Sequence, residues 1–144
     1  MNGPLWYLTK DGDRSCLELF RRHYSCRNSL ANRRALFVGP GEQVVLRTDE
    51  GNAVFVWRRS QYRADQQTGV ECSLFRNESQ HLSSELVRQA DAIADHCWPS
   101  ERHYTFVSPA DVRSSNPGFC FIAAGWRRTG EVTSRGLIII ERLP

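Results

Sequence analysis

Three consecutive runs, VECSLFRNES (residues 70–79), QHLSSELVRQADAIADHCW (80–98) and RHYTFV (102–107), decide the fold. The first is an apolar strand that ends in a polar break, the second an amphipathic helix, the third another strand. In the helix Leu82, Leu86, Ala90, Ile93 and Cys97 recur at three- and four-residue spacings. Val87 and Ala94 widen that stripe, and Glu85, Arg88, Gln89, Asp91 and Asp95 take the solvent side. Ser83 or Ser84 caps the first turn, where Glu85 suits the helix dipole. Trp98-Pro99 closes the pattern, because a residue before proline is pushed out of the helical region. Strand, helix and strand in this order make a βαβ unit whose helix N-terminus can take a phosphate.

Downstream, a polar connection over residues 108–116 leads to Asn116-Pro117-Gly118 and a short apolar helix, 119–124, with Gly125 suited to its C-terminal end. Residues 126–132 and 137–142 read as a closing hairpin, with Ile138, Ile139 and Ile140 strongly β-preferring. Upstream, residues 43–48 and 53–58 are two strands joined through Asp49-Glu50-Gly51-Asn52, a hairpin signal. Residues 35–38 are a further short strand candidate, and residues 59–69 a polar loop. Residues 14–25 predict a helix with Leu17, Phe20 and Tyr24 on one stripe. A polar loop, CRNSLANRR, follows it. The chain of 144 residues thus predicts a single domain, 1–144, of α/β class, with a mixed sheet and helices on both faces.

Composition sets the bounds. Hydrophobic residues at 40% and charged residues at 24% fit an ordinary globular core. No apolar run reaches about 18 residues, which excludes a membrane span, and the first residues lack the order of a signal peptide. Five cysteines without a Cys-x-x-Cys pair fit a reduced cytoplasmic protein. The net charge is only +3, but Lys10 is the sole lysine among 19 basic residues. Arginine offers a planar fork of donors for phosphate or carboxylate. A GC-rich genome gives the same bias, so charge permits a nucleic-acid partner without demanding one.

With these elements placed, the order resembles the GNAT acyltransferase superfamily: hairpin, strand, phosphate turn and helix, strand, short helix, then a Gly-aromatic pair, here Gly125-Trp126. Asn116 resembles the asparagine that often opens the family's short helix. A narrower resemblance is to phage-borne GNAT-like proteins that include the Mom DNA-modification proteins. It rests on Arg22-His23-Tyr24-Ser25, Phe37-Val38-Gly39-Pro40-Gly41, Phe75-Arg76-Asn77-Glu78, Ser83-Ser84-Glu85-Leu86 and Tyr104-Thr105-Phe106-Val107, with Asn116-Pro117-Gly118-Phe119-Cys120-Phe121 through Gly125-Trp126. The resemblance implies a transferase that decorates adenine, at N6, in double-stranded DNA with a group derived from acetyl-CoA, protecting that DNA from restriction. Iron is implied as a possible second cofactor. Two departures stand out. The turn after Arg76 holds no glycine, and the slot that many family members fill with a tyrosine acid is Phe121, whose ring has no proton to give.

The residues implied for chemistry are His23, Tyr24 and Glu78. An imidazole is the natural base or metal ligand, and a phenol can donate a proton. The plainer alternative has His23 capping helix carbonyls and Tyr24 in the core. Arg76, Asn77, Ser83, Ser84, Asn116 and Phe121 are the implied coenzyme-binding set; a surface turn with a salt bridge is the alternative at Arg76 and Glu78. Arg21, Arg22, Arg27, Arg33 and Arg34 cluster around His23 as the candidate DNA contacts. No zinc spacing is present, and an open metal site would have to use His23 and a carboxylate. Two other readings remain: conventional N-acetylation of a small amine or peptide, and a catalytically silent module that binds DNA or protein.

Overall fold

The computed structural model describes residues 3–23, 35–60, 66–111 and 116–144. Among the described residues seven strands form one sheet: β1 (Trp6–Thr9), β2 (Glu42–Thr48), β3 (Ala53–Arg59), β4 (Val70–Asn77), β5 (His103–Val107), β6 (Arg127–Val132) and β7 (Ile138–Arg142). Three helices accompany them, α1 (Arg14–Arg22), α2 (Ser83–Cys97) and α3 (Phe119–Ala123). The strand order is β1-β2-β3-β4-β5-β7-β6, antiparallel throughout except for the central β4–β5 pair. That parallel pair is the predicted βαβ unit, with α2 as its crossover.

The β2–β3 hairpin turns where its residues require it. Gly51 adopts φ +70°, and Thr48 Oγ1 accepts from the amides of Asn52 and Ala53, both at 3.1 Å. A Cβ at Gly51 would come within 2.7 Å of Ser15 Cβ, so α1 packs too closely for any larger residue. From Ala53 to Trp57 every residue of β3 is buried, the signature of a central strand covered on both faces. On one face Cys16, Leu19 and Phe20 of α1 pack on Val45, Val54, Val56 and Leu74. On the other, Leu86, Val87, Ala90 and Ala94 of α2 pack on Leu46, Phe55, Trp57 and Cys72. Each fully buried Val or Leu contributes about 1.5–3 kcal/mol by removal from water. Indole donors fix α2 to the sheet: Trp6 Nε1 donates to Leu86 O (2.8 Å) and Trp57 Nε1 to Ala90 O (3.0 Å).

Several expectations need correction. Residues 35–38 form no strand; the amides of Phe37 and Val38 donate to the Asp11 carboxylate instead of to a neighbouring strand. Trp6–Thr9, not expected as a strand, pairs along the outer edge of β2. The first helix runs to Arg22 with His23 at its C-cap, and its buried face is Cys16, Leu19 and Phe20, where Leu17, Phe20 and Tyr24 were expected. Helix α2 is rotated about its axis from the expected stripe: Leu82 and Cys97 are exposed and Asp91 is buried. Neither Ser83 nor Ser84 caps it. Leu82 occupies the N-cap position with no side-chain hydrogen bond.

Candidate active site

Strands β4 and β5 pair only from Val70↔His103 to Cys72↔Thr105 and then part. Beyond that point β4 stays bonded to β3 as far as Asn77, and β5 to β7 through Val107↔Ile138. The facing edges of residues 73–77 and 106–107 therefore have no sheet partner in each other. Two local causes are visible. The β3–β4 register slips, with Val56 opposite Leu74 but Trp57 opposite Cys72, which leaves Ser73 as a bulge residue. Bulges bend the strand that carries them. Side-chain placement agrees: Val70 and Cys72 face the α2-side core, Leu74 the α1-side core, and Phe75 packs on the α2 side again. At the fork, Thr105 Oγ1 donates to Cys72 O (2.9 Å) and satisfies the carbonyl from which the ladder would have continued.

The cleft so formed encloses about 250 Å3 and is walled by His23, Ser73, Phe75, Thr105, Phe106 and Phe121, among others. Helix α3 supplies Phe121, which meets Phe75 edge-on at 5.9 Å and Trp126 at 4.8 Å between ring centroids. Gly118 (φ +77°) lets α3 start against the sheet, since a Cβ there would lie 2.3 Å from Ile140 Cδ1. A larger cavity of about 460 Å3, bordered by Tyr7, Asp49, Glu50, Asn52 and His81, touches the β4–α2 turn from the β1 side. It does not adjoin the gap between the two parallel strands, and the smaller cleft is the candidate site for that reason.

At the cleft mouth the end of α1 is tied to the end of β4. Arg22 donates twice to Glu78, Nε at 2.9 Å and Nη2 at 3.0 Å. Arg76 Nε donates to Glu78 Oε2 (2.6 Å), and Arg76 Nη1 donates to the carbonyl of Arg22 (2.9 Å). The two guanidiniums hold the Glu78 carboxyl down at about 2. A carboxylate so held has little basicity and serves as an anchor. His23, half-buried at the C-cap of α1, is lowered to about 4, first by burial and then by the Arg76 charge. It is neutral at physiological pH.

The turn from β4 into α2 is built without glycine because Asn77 organises it. Asn77 Nδ2 donates to His81 O (2.8 Å) and Ser83 Oγ (2.9 Å), and its Oδ1 accepts from the Ser79 amide (2.9 Å). Among the described residues positive φ outside glycine occurs only at Gln66 and Ser100, so this turn needs no left-handed residue. Asn77 thus shapes the turn, Ser83 is half-buried beside it, and Ser84 is buried. Asn116 accepts from Arg128 Nη2, which links the loop before α3 to β6.

The structure brings His23, Arg22, Arg76 and Glu78 together, and places Phe121 in the cleft wall. Arg21 is exposed next to them. Tyr24, Arg27, Arg33 and Arg34 lie outside the described residues. No group of three or more His, Cys, Asp or Glu able to hold a metal ion occurs among the described residues, so the iron expectation finds no support there. Among the described residues no helix is long and apolar enough to cross a membrane. Ser73 escaped the sequence reading, although the adjacent apolar pair Leu74-Phe75, which breaks the alternation of Val70, Cys72 and Leu74, marks the bulge.

No protein-family model matches this chain, and no curated protein does. A solved structure does: an acyl-CoA N-acyltransferase from Pseudomonas aeruginosa, with a TM-score of 0.59 at 16% identity, covering 95% of this chain and 97% of that one. At that identity the likeness establishes the fold alone. The chain has the acyl-CoA N-acyltransferase, or GNAT, fold.

Proposed function

We propose that this chain is an acyl-CoA-dependent N-acyltransferase that binds acetyl-CoA in the β4–β5 cleft and acylates an exocyclic nucleobase amine, adenine N6, in double-stranded DNA. The observation that carries the transferase reading is the parting of the two parallel strands after Cys72 and Thr105. An open strand edge binds an extended, amide-bearing ligand by continuing the ladder, and the pantetheine arm is such a ligand. The same direction leads to the start of α2, where no side chain caps the first-turn amides and the helix dipole favours the pyrophosphate. Arg76, at the end of β4, adds positive charge beside that path.

Acyl transfer joins the amine nitrogen to the thioester carbon and expels the thiolate. An exocyclic base amine is uncharged at neutral pH, so its proton has to leave only after attack begins. His23, kept neutral by burial and by Arg76, lines the cleft and is the base we assign to accept it. Glu78 holds the end of α1, and with it His23, against β4 through Arg22 and Arg76. The nucleobase acceptor is supported by the sequence motifs around His23 and Tyr24, and by the arginines that flank them. The base must be turned out of the duplex, since its amine cannot otherwise reach a donor inside a cleft.

Nucleoside mass spectrometry of DNA from cells expressing the chain tests the acceptor. A heavier deoxyadenosine, absent with His23→Ala, is expected. Unaltered nucleosides from soluble protein that is still thermally stabilised by acetyl-CoA would reject DNA and leave another amine as acceptor. Saturating acetyl-CoA at a hundredfold excess over Kd adds about 2.7 kcal/mol of stability. No thermal shift at millimolar acetyl-CoA would reject the coenzyme and favour a silent binding module.

A further inference from the structure

From the cleft wall, Phe121 leads back into the core. Its ring centroid lies 4.8 Å from that of Trp126, and the Trp126 amide donates to the Phe121 carbonyl (3.0 Å). Trp126 is held in turn. Its Nε1 donates to Asp91 Oδ2 (2.9 Å), and its ring stacks on that of Trp57 at 6.2 Å between centroids. Asp91 is buried on the face of α2 that carries Leu86, Val87, Ala90 and Ala94, and those four apolar side chains already pack α2 on the sheet. Apolar contact is non-directional, whereas a hydrogen bond to the indole N–H fixes the rotation of the ring. Helix α3 needs such a brace. At five residues it is too short to hold its own shape, so its side chains stand where tertiary contacts put them.

We propose that Phe121 is the specificity-determining residue for the acyl group, holding the cleft to acetyl, and that Asp91 is a positioning residue that keeps the Phe121 ring in place through Trp126. This rests on the acyl-CoA reading above. A coenzyme arm paired along residues 73–77 brings its thioester end towards the fork, and Val107, Phe121 and Leu137 give that space apolar walls. A braced ring yields little to added methylenes, because admitting them would force close-packed side chains out of their rotamers. An unbraced ring turns aside and lets a longer chain in. Asp91 touches no ligand; two side chains separate it from the cleft.

The test is binding alone and needs no acceptor: calorimetric titration of the intact chain with acetyl-, butanoyl- and hexanoyl-CoA. Wild type should bind acetyl-CoA at least about tenfold more tightly than hexanoyl-CoA, the low end of what a single methylene commands in an apolar pocket. Phe121→Ala should erase that preference. Trp126→Phe keeps a ring without a donor, and Asp91→Leu leaves the indole without an acceptor; each should narrow the preference. Asp91→Asn retains an oxygen for the indole and should restore it. A brace that served stability alone would weaken all three ligands alike and leave their ratio unchanged. A wild type that binds the three equally, or a Phe121→Ala chain as selective as wild type, would overturn the proposal and leave the acyl-CoA reading standing. An unchanged ratio in Trp126→Phe and Asp91→Leu, or failure of both to fold, would assign Asp91 and Trp126 to the core and overturn their part. A wild type that binds none of the three would instead remove the coenzyme reading, and this proposal with it.

Discussion

Two histidines of this chain lie near carboxylates, and their surroundings could hardly differ more. His103 is fully buried under α2. Its Nδ1 lies 2.7 Å from Asp91 Oδ1, Asp91 Oδ2 accepts from Trp126 Nε1 (2.9 Å), and the ring lies 4.7 Å from the Trp57 ring centroid. Arg142 donates to both oxygens of the neighbouring Asp95, each at 3.0 Å. His103 and Asp91 are buried beneath the aromatic rings, while Asp95 and Arg142 form the partly exposed rim of the arrangement. His23 sits at the cleft mouth, where the nearby carboxylate, Glu78, is committed to two arginines. The first arrangement fastens a helix to a sheet. The second leaves a neutral imidazole facing a space a ligand can enter. Carboxylate and imidazole in company are therefore no sign of chemistry; an adjoining cleft is what separates the two.

The largest expected effect breaks the buried arrangement. Asp91→Ala strands the Trp126 indole N–H and His103 Nδ1 in the core, and should cost about 3–5 kcal/mol in urea denaturation. A loss under about 1 kcal/mol would mean the network contributes little, and the contrast with His23 would fail.

A smaller effect sharpens the other side. The folded-state pKa of His23, about 4, lies below the ordinary value of 6.5. Between those values the unfolded chain holds more protons than the folded one, so stability rises with pH there. The contribution is complete above about pH 6.5 and is lost as pH falls towards 4. Glu78, lowered from 4.5 to about 2, acts in a separate window, its contribution lost as pH falls from about 4.5 to 2. His23→Gln should flatten the upper window alone, by on the order of 1 kcal/mol once solvent screening of a half-buried ring is allowed for. Equal slopes between pH 4 and 6.5 in the two proteins would show that the ring is not held in the neutral form.

The elements with a strong period were legible in the sequence. The β2–β3 hairpin, the β4–α2–β5 unit and the final hairpin follow from alternation, helical spacing and turn residues. What escaped was decided by partners distant in the chain. Asp91 reads as solvent-facing until His103 and Trp126, 12 and 35 positions away, are brought against it. Residues 35–38 have the composition of a strand, but the Asp11 carboxylate takes the amides of Phe37 and Val38. Trp6–Thr9 is too short to show a period and exists because β2 offers an edge. At the candidate site the sequence brought out His23, Arg76 and Glu78 as residue types. That Glu78 is neutralised, that Asn77 replaces glycine as the organiser of its turn, and that Ser73 is a bulge residue depend on geometry. None of these is a property of a residue type.

The most direct test of the acyl-CoA cleft is amide hydrogen exchange, resolved residue by residue by NMR, with and without saturating acetyl-CoA. Protection is expected along the open edge of β4, residues 73–77, and in the first turn of α2, residues 83–85, with the β2–β3 hairpin unchanged. Protection confined to Asp49, Glu50, Asn52 and His81 around the larger cavity, or none on β4 despite binding, would contradict the account.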